Sequence, residues 1–315
     1  MSRVQRMRAR TELTNPEQGT IYWSPVKSLW YSLMLLVAVV GGSLTFSLES
    51  LILFSVLTSV TLCCGHSVGL HRLLIHRSFE CPLWLERILV TMGVLVGMGG
   101  PRKMLYMHDI RDWSQRHSKC HDFFIHKSPI WKDWFWNLHC EIKLQNPPEF
   151  QVEPWVANSR YYGFLDRNWM LLQLPLAGVL FAIGGIPWVI WGACVRVAVS
   201  LTGHWLIGYF AHNHGVQVWQ IENAAVQGYN LPGLGLITMG EAWHNNHHAF
   251  PESAKFGLRK GQMDAGWWLI QLLQTVGLAW NIQHPETLPE RPERMLIGSS
   301  EVSADDYSSV SRVIL

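Results

Sequence analysis

Charge is scarce in this chain. Only 15% of its 315 residues are Asp, Glu, Lys or Arg, against roughly a quarter in an ordinary soluble domain. A formal charge of +2 with no Lys/Arg-rich run gives nucleic acid no footing. The six cysteines (63, 64, 81, 120, 140 and 194) form no CxxC pair, so nothing asks for an oxidising compartment. The adjacent Cys63-Cys64 lies inside an apolar run and reads as buried and reduced. A secretory signal is also missing. Twenty-six mostly polar residues, carrying Arg3, Arg6, Arg8 and Arg10, precede the first apolar run, and no small-residue cleavage site follows closely. There is no internal repeat.

What the chain does have is apolar length. Hydrophobic residues make up 49% of it, with 17 Trp and 15 His. A spanning helix needs ~20 apolar residues without charge. Lys27 and Glu49 enclose 21 uncharged residues, and Leu51 to Leu70 adds 20 more, which reads as a helical hairpin turned at Glu49. The run from Ile88 to Pro101 is 14 residues long, a length suited to an interfacial or buried helix. Between Arg167 and Glu222 the single charge is Arg196, and Gly184-Gly185-Ile186-Pro187 interrupts the stretch. A second hairpin is expected there. The sequence thus predicts an all-α membrane protein with four transmembrane helices, at about 28–48, 51–70, 167–184 and 187–208. A cytoplasmic helical cap (71–165 and 209–281) would hold a histidine-rich site. Lys and Arg crowd the N-terminal tail (1–27) and the loop after the second span and are missing from both hairpin turns. Both termini should therefore face the cytoplasm, in a bacterial inner membrane or the endoplasmic reticulum. Residues 266–281 suit an amphipathic surface helix. The tail 282–315, rich in Pro, Glu and Ser, is expected to be disordered.

The histidines fall in groups. They are His71 and His76 at the inner end of the second span, His117 and His121 with Cys120 between them, His212 just past the fourth span, and His244, His247 and His248. Residues three and four apart share a helix face, so the last three project together if 243–249 is helical, as do His117 and His121. His71 and His76 are five apart, so their helix should end or distort near His71. Imidazole suits Fe, Zn, Cu and Ni. Eight histidines exceed one tetrahedral zinc site and suit two ions, each group starting on the cytoplasmic side of a span. Asp109, Asp112, Asp122 and Glu241 are candidates to hold the second ring nitrogens of these ligands. Isolated histidines (66, 108, 126, 139, 204 and 284) read as surface or core residues.

At these residues the chain resembles the membrane acyl desaturases, closest to the Δ9 acyl-CoA and acyl-lipid group that includes the stearoyl-CoA desaturases. The likeness rests on His71-Arg72 with His76-Arg77-Ser78-Phe79, on Trp113 four before His117, and on Gly240-Glu241…His244-Asn245…His247-His248-x-Phe250-Pro251. It covers about residues 28–281. The resemblance implies a four-span protein with a di-iron centre ligated by His71, His76, His117, His121, His212, His244, His247 and His248. Asp112, Glu241 and Asn245 would stand behind them. It also implies O2 as co-substrate, membrane lipid as surroundings, a long acyl chain on CoA or lipid as substrate, and a separate electron donor of the cytochrome b5, ferredoxin or rubredoxin type. Two positions depart from the family. Cys120 stands where the second histidine box has His, either as a thiolate ligand or as a lost one. Gly208 stands where an Asn usually holds a metal-bound water.

The reaction so implied is O2-dependent insertion of a cis double bond, with regioselectivity set by the depth of a narrow apolar tunnel. Arg196, costly inside a span, would line the tunnel mouth or pair within the bundle. The rival readings are an acyl or hydrocarbon hydroxylase on the same scaffold, a non-catalytic relative with an altered metal site, and a zinc hydrolase, for which Glu241 is wrongly spaced.

Overall fold

The computed structural model describes residues 5–297, so the part of the expected disordered tail from 298 onward lies outside the described residues. Among the described residues, three helices are long and apolar enough to cross a membrane: Pro25–Leu44 (α1), Leu48–Ile75 and Gln173–Ala211. Their large side chains point outward. Leu29, Leu36, Ile52, Val56, Val179 and Ile183 are all exposed, the inverse of a water-soluble helix, and hydrocarbon is the solvent that suits them.

The longest of the three is broken. Thirty-nine residues at ~1.5 Å rise would make about 58 Å, twice the ~30 Å of a hydrocarbon core. The backbone leaves the helix at Gly185 (φ 65°, ψ −158°), two residues before Pro187. A Cβ on Gly192 would lie 2.6 Å from Leu180 Cδ1, so the two halves run back to back. The Gly/Pro cluster therefore turns the chain where the sequence expects it.

The second long helix changes its winding. Leu48–Val60 (α2) is α-helical and capped by Ser47, whose Oγ accepts from Ser50 N. Thr61–Ile75 continues it as a π-helix, a form otherwise seen mostly as single turns at functional sites. His76 N bonds His71 O at 3.0 Å, five residues back. Leu83–Leu95 (α3) packs on this segment at backbone contact. A Cβ on Gly69 would meet Leu89 O at 2.5 Å, and one on Gly65 would overlap the Met92 main chain. The run from Ile88 to Pro101 is thus not one helix. Its first half belongs to α3, Gly97 (φ 90°) and Gly99 (φ 149°) turn the chain, and Pro101–Gln115 (α4) follows.

Three two-stranded antiparallel ribbons complete the fold: Met7–Arg8 with Glu149–Phe150, Gly19–Trp23 with Cys140–Leu144, and Trp219–Ile221 with Arg294–Leu296. The N-terminal tail is tied down at Arg6, which bonds Asp109 at 3.3 Å and Glu153 at 3.0 Å. One expectation is corrected: the stretch 282–297 is not disordered, since it carries a 3-10 turn at Pro285–Thr287 and the strand Arg294–Leu296. The expected surface helix is shorter than its run. It covers Ala265–Thr275 and ends before Gly277 (φ 74°).

Candidate metal centre

The π-winding of 61–75 answers the five-residue spacing. With the backbone bonded i to i+5, His66, His71 and His76 form a column, with ring centroids 6.2 Å apart for the first pair and 4.9 Å for the second. Across from them, α4 presents His108, Asp112 and Gln115, spaced at i, i+4 and i+7 on one helical face. The helix His244–Ala249 contributes the third side. It is short, and its ends are fixed from outside. Asn230 Oδ1 accepts from Asn245 N at 3.0 Å and Asn246 N at 3.3 Å. Arg291 and Arg294 donate to His248 O (3.1 Å) and Ala249 O (3.3 Å). Asn245 itself is buried, accepting from Val218 N and Trp219 N and donating to Trp219 O and Gly228 O. It holds the helix in place and bonds no histidine ring.

Two groups of ring nitrogens result. In each, all the donor atoms lie within 4.8 Å of one another: His71, His76, His108 and His247 in the first, His212, His244 and His248 in the second. The rings of His244 and His247 lie 5.9 Å apart, those of His247 and His248 6.1 Å, so one short helix serves both groups.

Hydrogen bonding decides which nitrogens face inward. His71 Nδ1 donates to Glu241 Oε2 at 2.6 Å, and Glu241 Oε1 accepts from Ser67 Oγ at 2.6 Å. Burial by itself would raise the Glu241 pKa, yet His71 and Arg72 together hold it below the usual carboxylate range. His212 Nδ1 sits 2.6 Å from Gly208 O. A carbonyl only accepts, so Nδ1 carries the proton and Nε2 is bare. That bare Nε2 faces His244 Nε2 at 3.1 Å, which faces His248 Nε2 at 3.1 Å. Burial pushes all three rings towards the neutral form, His248 down to about 4. One nitrogen, His244 Nε2, cannot both donate to one neighbour and accept from the other while also serving as a lone pair for each. His247 Nδ1 is buried without a hydrogen-bond partner. Converging neutral imidazoles whose lone pairs face each other repel unless a cation sits between them. The donor set is that of iron, zinc, copper or nickel.

The structure places the expected second histidine box, His117 and His121 with Cys120, outside both groups. His117 turns back on its own helix end, with Nδ1 2.7 Å from Trp113 O and its ring against the indole. His121 accepts from Phe123 N at 3.1 Å and caps a short helix, Asp122–Ile125. Neither belongs to a group. The physical reason is that α4 ends at Gln115, so residues four apart in 117–121 have no helix face to share. Cys120 packs among Ile110, Phe123 and Phe124. Burial pushes its thiol up to about 11, which keeps it protonated and unlike a thiolate ligand. Cys120→Ser should therefore leave bound metal unchanged, checked by elemental analysis of the purified protein. Of the acids, Asp109 pairs Arg6 and sits 3.5 Å from His108 Nδ1, and Asp122 lies in the first turn of the helix that His121 caps. His108, set aside in the sequence as an isolated histidine, is the ring that joins His71 and His76. Its signal was the i, i+4, i+7 spacing of His108, Asp112 and Gln115.

A cavity of about 300 Å³ borders both groups. Trp30, Met104, Met107, Leu201 and Ile207 line it with apolar surface, and Lys27, Lys103 and Glu141 add a polar patch. Lys103 Nζ bonds Glu141 Oε1 at 2.7 Å, and Lys27 Nζ donates to Cys140 O. Arg196 takes no part in it. It is fully buried and donates to Gly192 O, Leu95 O and Gln173 Oε1, tying the bundle together rather than lining a tunnel. Gly208 lies in the cavity wall, where a Cβ would have room 3.8 Å from His126 Nε2.

Comparison with known proteins gives the geometry a context. A family model described as fatty acid desaturase matches residues 47–267. The sn-2 palmitoyl-lipid 9-desaturase of Nostoc sp. (strain 36) is 35% identical over 221 residues, covering 68% of this chain and 75% of that protein. The sn-1 stearoyl-lipid 9-desaturase of Anabaena variabilis is 33% identical, covering 70% and 78%. An acyl-CoA 5-desaturase of Anemone leveillei is 30% identical over 260 residues, covering 81% and 78%.

Proposed function

Because this chain belongs to the fatty acid desaturase family, we propose that it inserts a cis double bond into a long acyl chain at a centre of two irons. It is an oxidoreductase acting on fatty acyl chains; the finer reading concerns position, carrier and metal. Position 9 is the reading that the lipid 9-desaturases among its relatives support, with the acyl chain on a lipid or on CoA. His71, His76, His108 and His247 would hold one iron, and His212, His244 and His248 the other. The single observation that carries this is the gathering of seven imidazoles into two groups beside one apolar cavity.

Bound iron with O2 and two electrons supplies the oxidising power to remove two hydrogens from adjacent methylenes. The chain's own residues do the rest. Glu241 and the Gly208 carbonyl fix the tautomers of His71 and His212, aiming the bare nitrogens inward. A methylene chain offers no polar handle, so Trp30, Met104, Leu201 and their neighbours must select its position by shape and keep water away. The long apolar helices, with the third divided at Gly185, support four spans. The Arg and Lys near the N-terminus and after the second span support a cytoplasmic cap and termini. Electrons would come from a separate carrier protein.

Expression in a host unable to make unsaturated fatty acids, followed by mass spectrometry of its lipids, tests the reading. A new cis double bond and growth rescue are expected. A hydroxylated product would replace desaturation by hydroxylation, and unchanged lipids with no bound iron would remove the proposal.

A further inference from the structure

The second histidine group is one donor short of the first, with three ring nitrogens against four. The helix facing it is α4. His108 on α4 reaches the first group, and one turn further along the same face stands Asp112. Asp112 lines the cavity together with His244, His247 and His248. It also lines a small opening on the surface, with Arg116 and Arg291. Its Oδ2 bonds Arg116 Nη2 at 3.3 Å.

We propose that the Asp112 carboxylate is a metal donor to the second group, so that a four-imidazole site stands beside a site of three imidazoles and one carboxylate. This rests on the two-metal reading above. His108 and Asp112 then form one helical pair, i and i+4, each facing one metal, and α4 takes over the work that the family's second box assigns to later residues. A carboxylate is a harder, anionic donor than imidazole. The two metals are therefore inequivalent, and the second carries less net charge.

The test uses cobalt(II) as a probe, titrated without O2 into the metal-free, detergent-purified full chain, with metal counted per chain and the visible absorption recorded. Wild type should take up two cobalt ions. Asp112→Asn should hold one tightly and bind the second at least ~10-fold more weakly, with loss of one set of bands. Asp112→His should recover two ions with shifted bands, and Arg116→Gln should keep two. The proposal is overturned if Asp112→Asn holds two ions with the wild-type spectrum, or if Arg116→Gln reproduces the loss, since Asp112 would then act only through its salt bridge. Should Asp112→Asn lose both ions, recovery in Asp112→His supports the proposal and failure to recover overturns it. Wild type binding no cobalt and no iron would sink the two-metal reading itself, which separates the two failures.

Discussion

His108→Ala is expected to lower bound iron from two to about one per chain and cut product by more than ~100-fold. His117→Ala and His121→Ala should leave both nearly unchanged. The contrast is large because the residues do opposite things in the fold. His108 Nε2 stands 3.3 Å from His76 Nε2, and its ring is 5.1 Å from that of His71, inside a group of four. His117 and His121 bond the backbone of their own segments. Iron content by elemental analysis, alongside product by mass spectrometry, decides the matter. Equal loss in His121→Ala and none in His108→Ala would return the site to the sequence-based assignment.

Gly69→Leu is expected to prevent folding altogether, and Gly65→Ala to destabilise severely. At both positions the obstacle is main chain rather than a flexible side chain: Leu89 O and the Met92–Gly93 peptide. Overpacking in a core costs ~1–3 kcal/mol when side chains can shift, and a clash with the backbone of α3 offers no such relief. Small residues at this spacing let membrane helices approach at backbone distance. The readout is the yield of monodisperse protein in detergent and its thermal unfolding. Gly178→Ala, at a glycine with nothing within 4 Å of an added Cβ, should behave as wild type.

Much of the scaffold was legible in the sequence because bilayer thickness imposes a length. The uncharged runs and the Gly184–Pro187 interruption marked the long helices and the turn between two of them. The third box was legible because His244, His247 and His248 share a face in any helical winding. His71 and His76 were recognised as a pair, but the fifteen-residue π-helix was not, since a spacing of five reads as a break on a 3.6-residue scale. The second box stands apart from both groups for a different reason. His117 and His121 carry the right spacing, and spacing alone does not say where a helix stops; α4 stops at Gln115. His108 has no second histidine at helical spacing in its own segment, so it read as an isolated surface or core residue. The ribbons that bind residues 7–8 and 294–296 were hidden because they pair with partners far away in the chain.

The clasp formed by Arg291 and Arg294 sets a timetable for biogenesis. The helix it secures has six residues, too few to hold its shape unaided. As the polypeptide emerges from the ribosome, α1 and α2 can enter the membrane while the residues that latch His248 and Ala249 have yet to be made. Until the strand Arg294–Leu296 has been synthesised and has docked on Trp219–Ile221, the pocket stays unlatched. Metal loading at the proposed site would thus follow the docking of that strand.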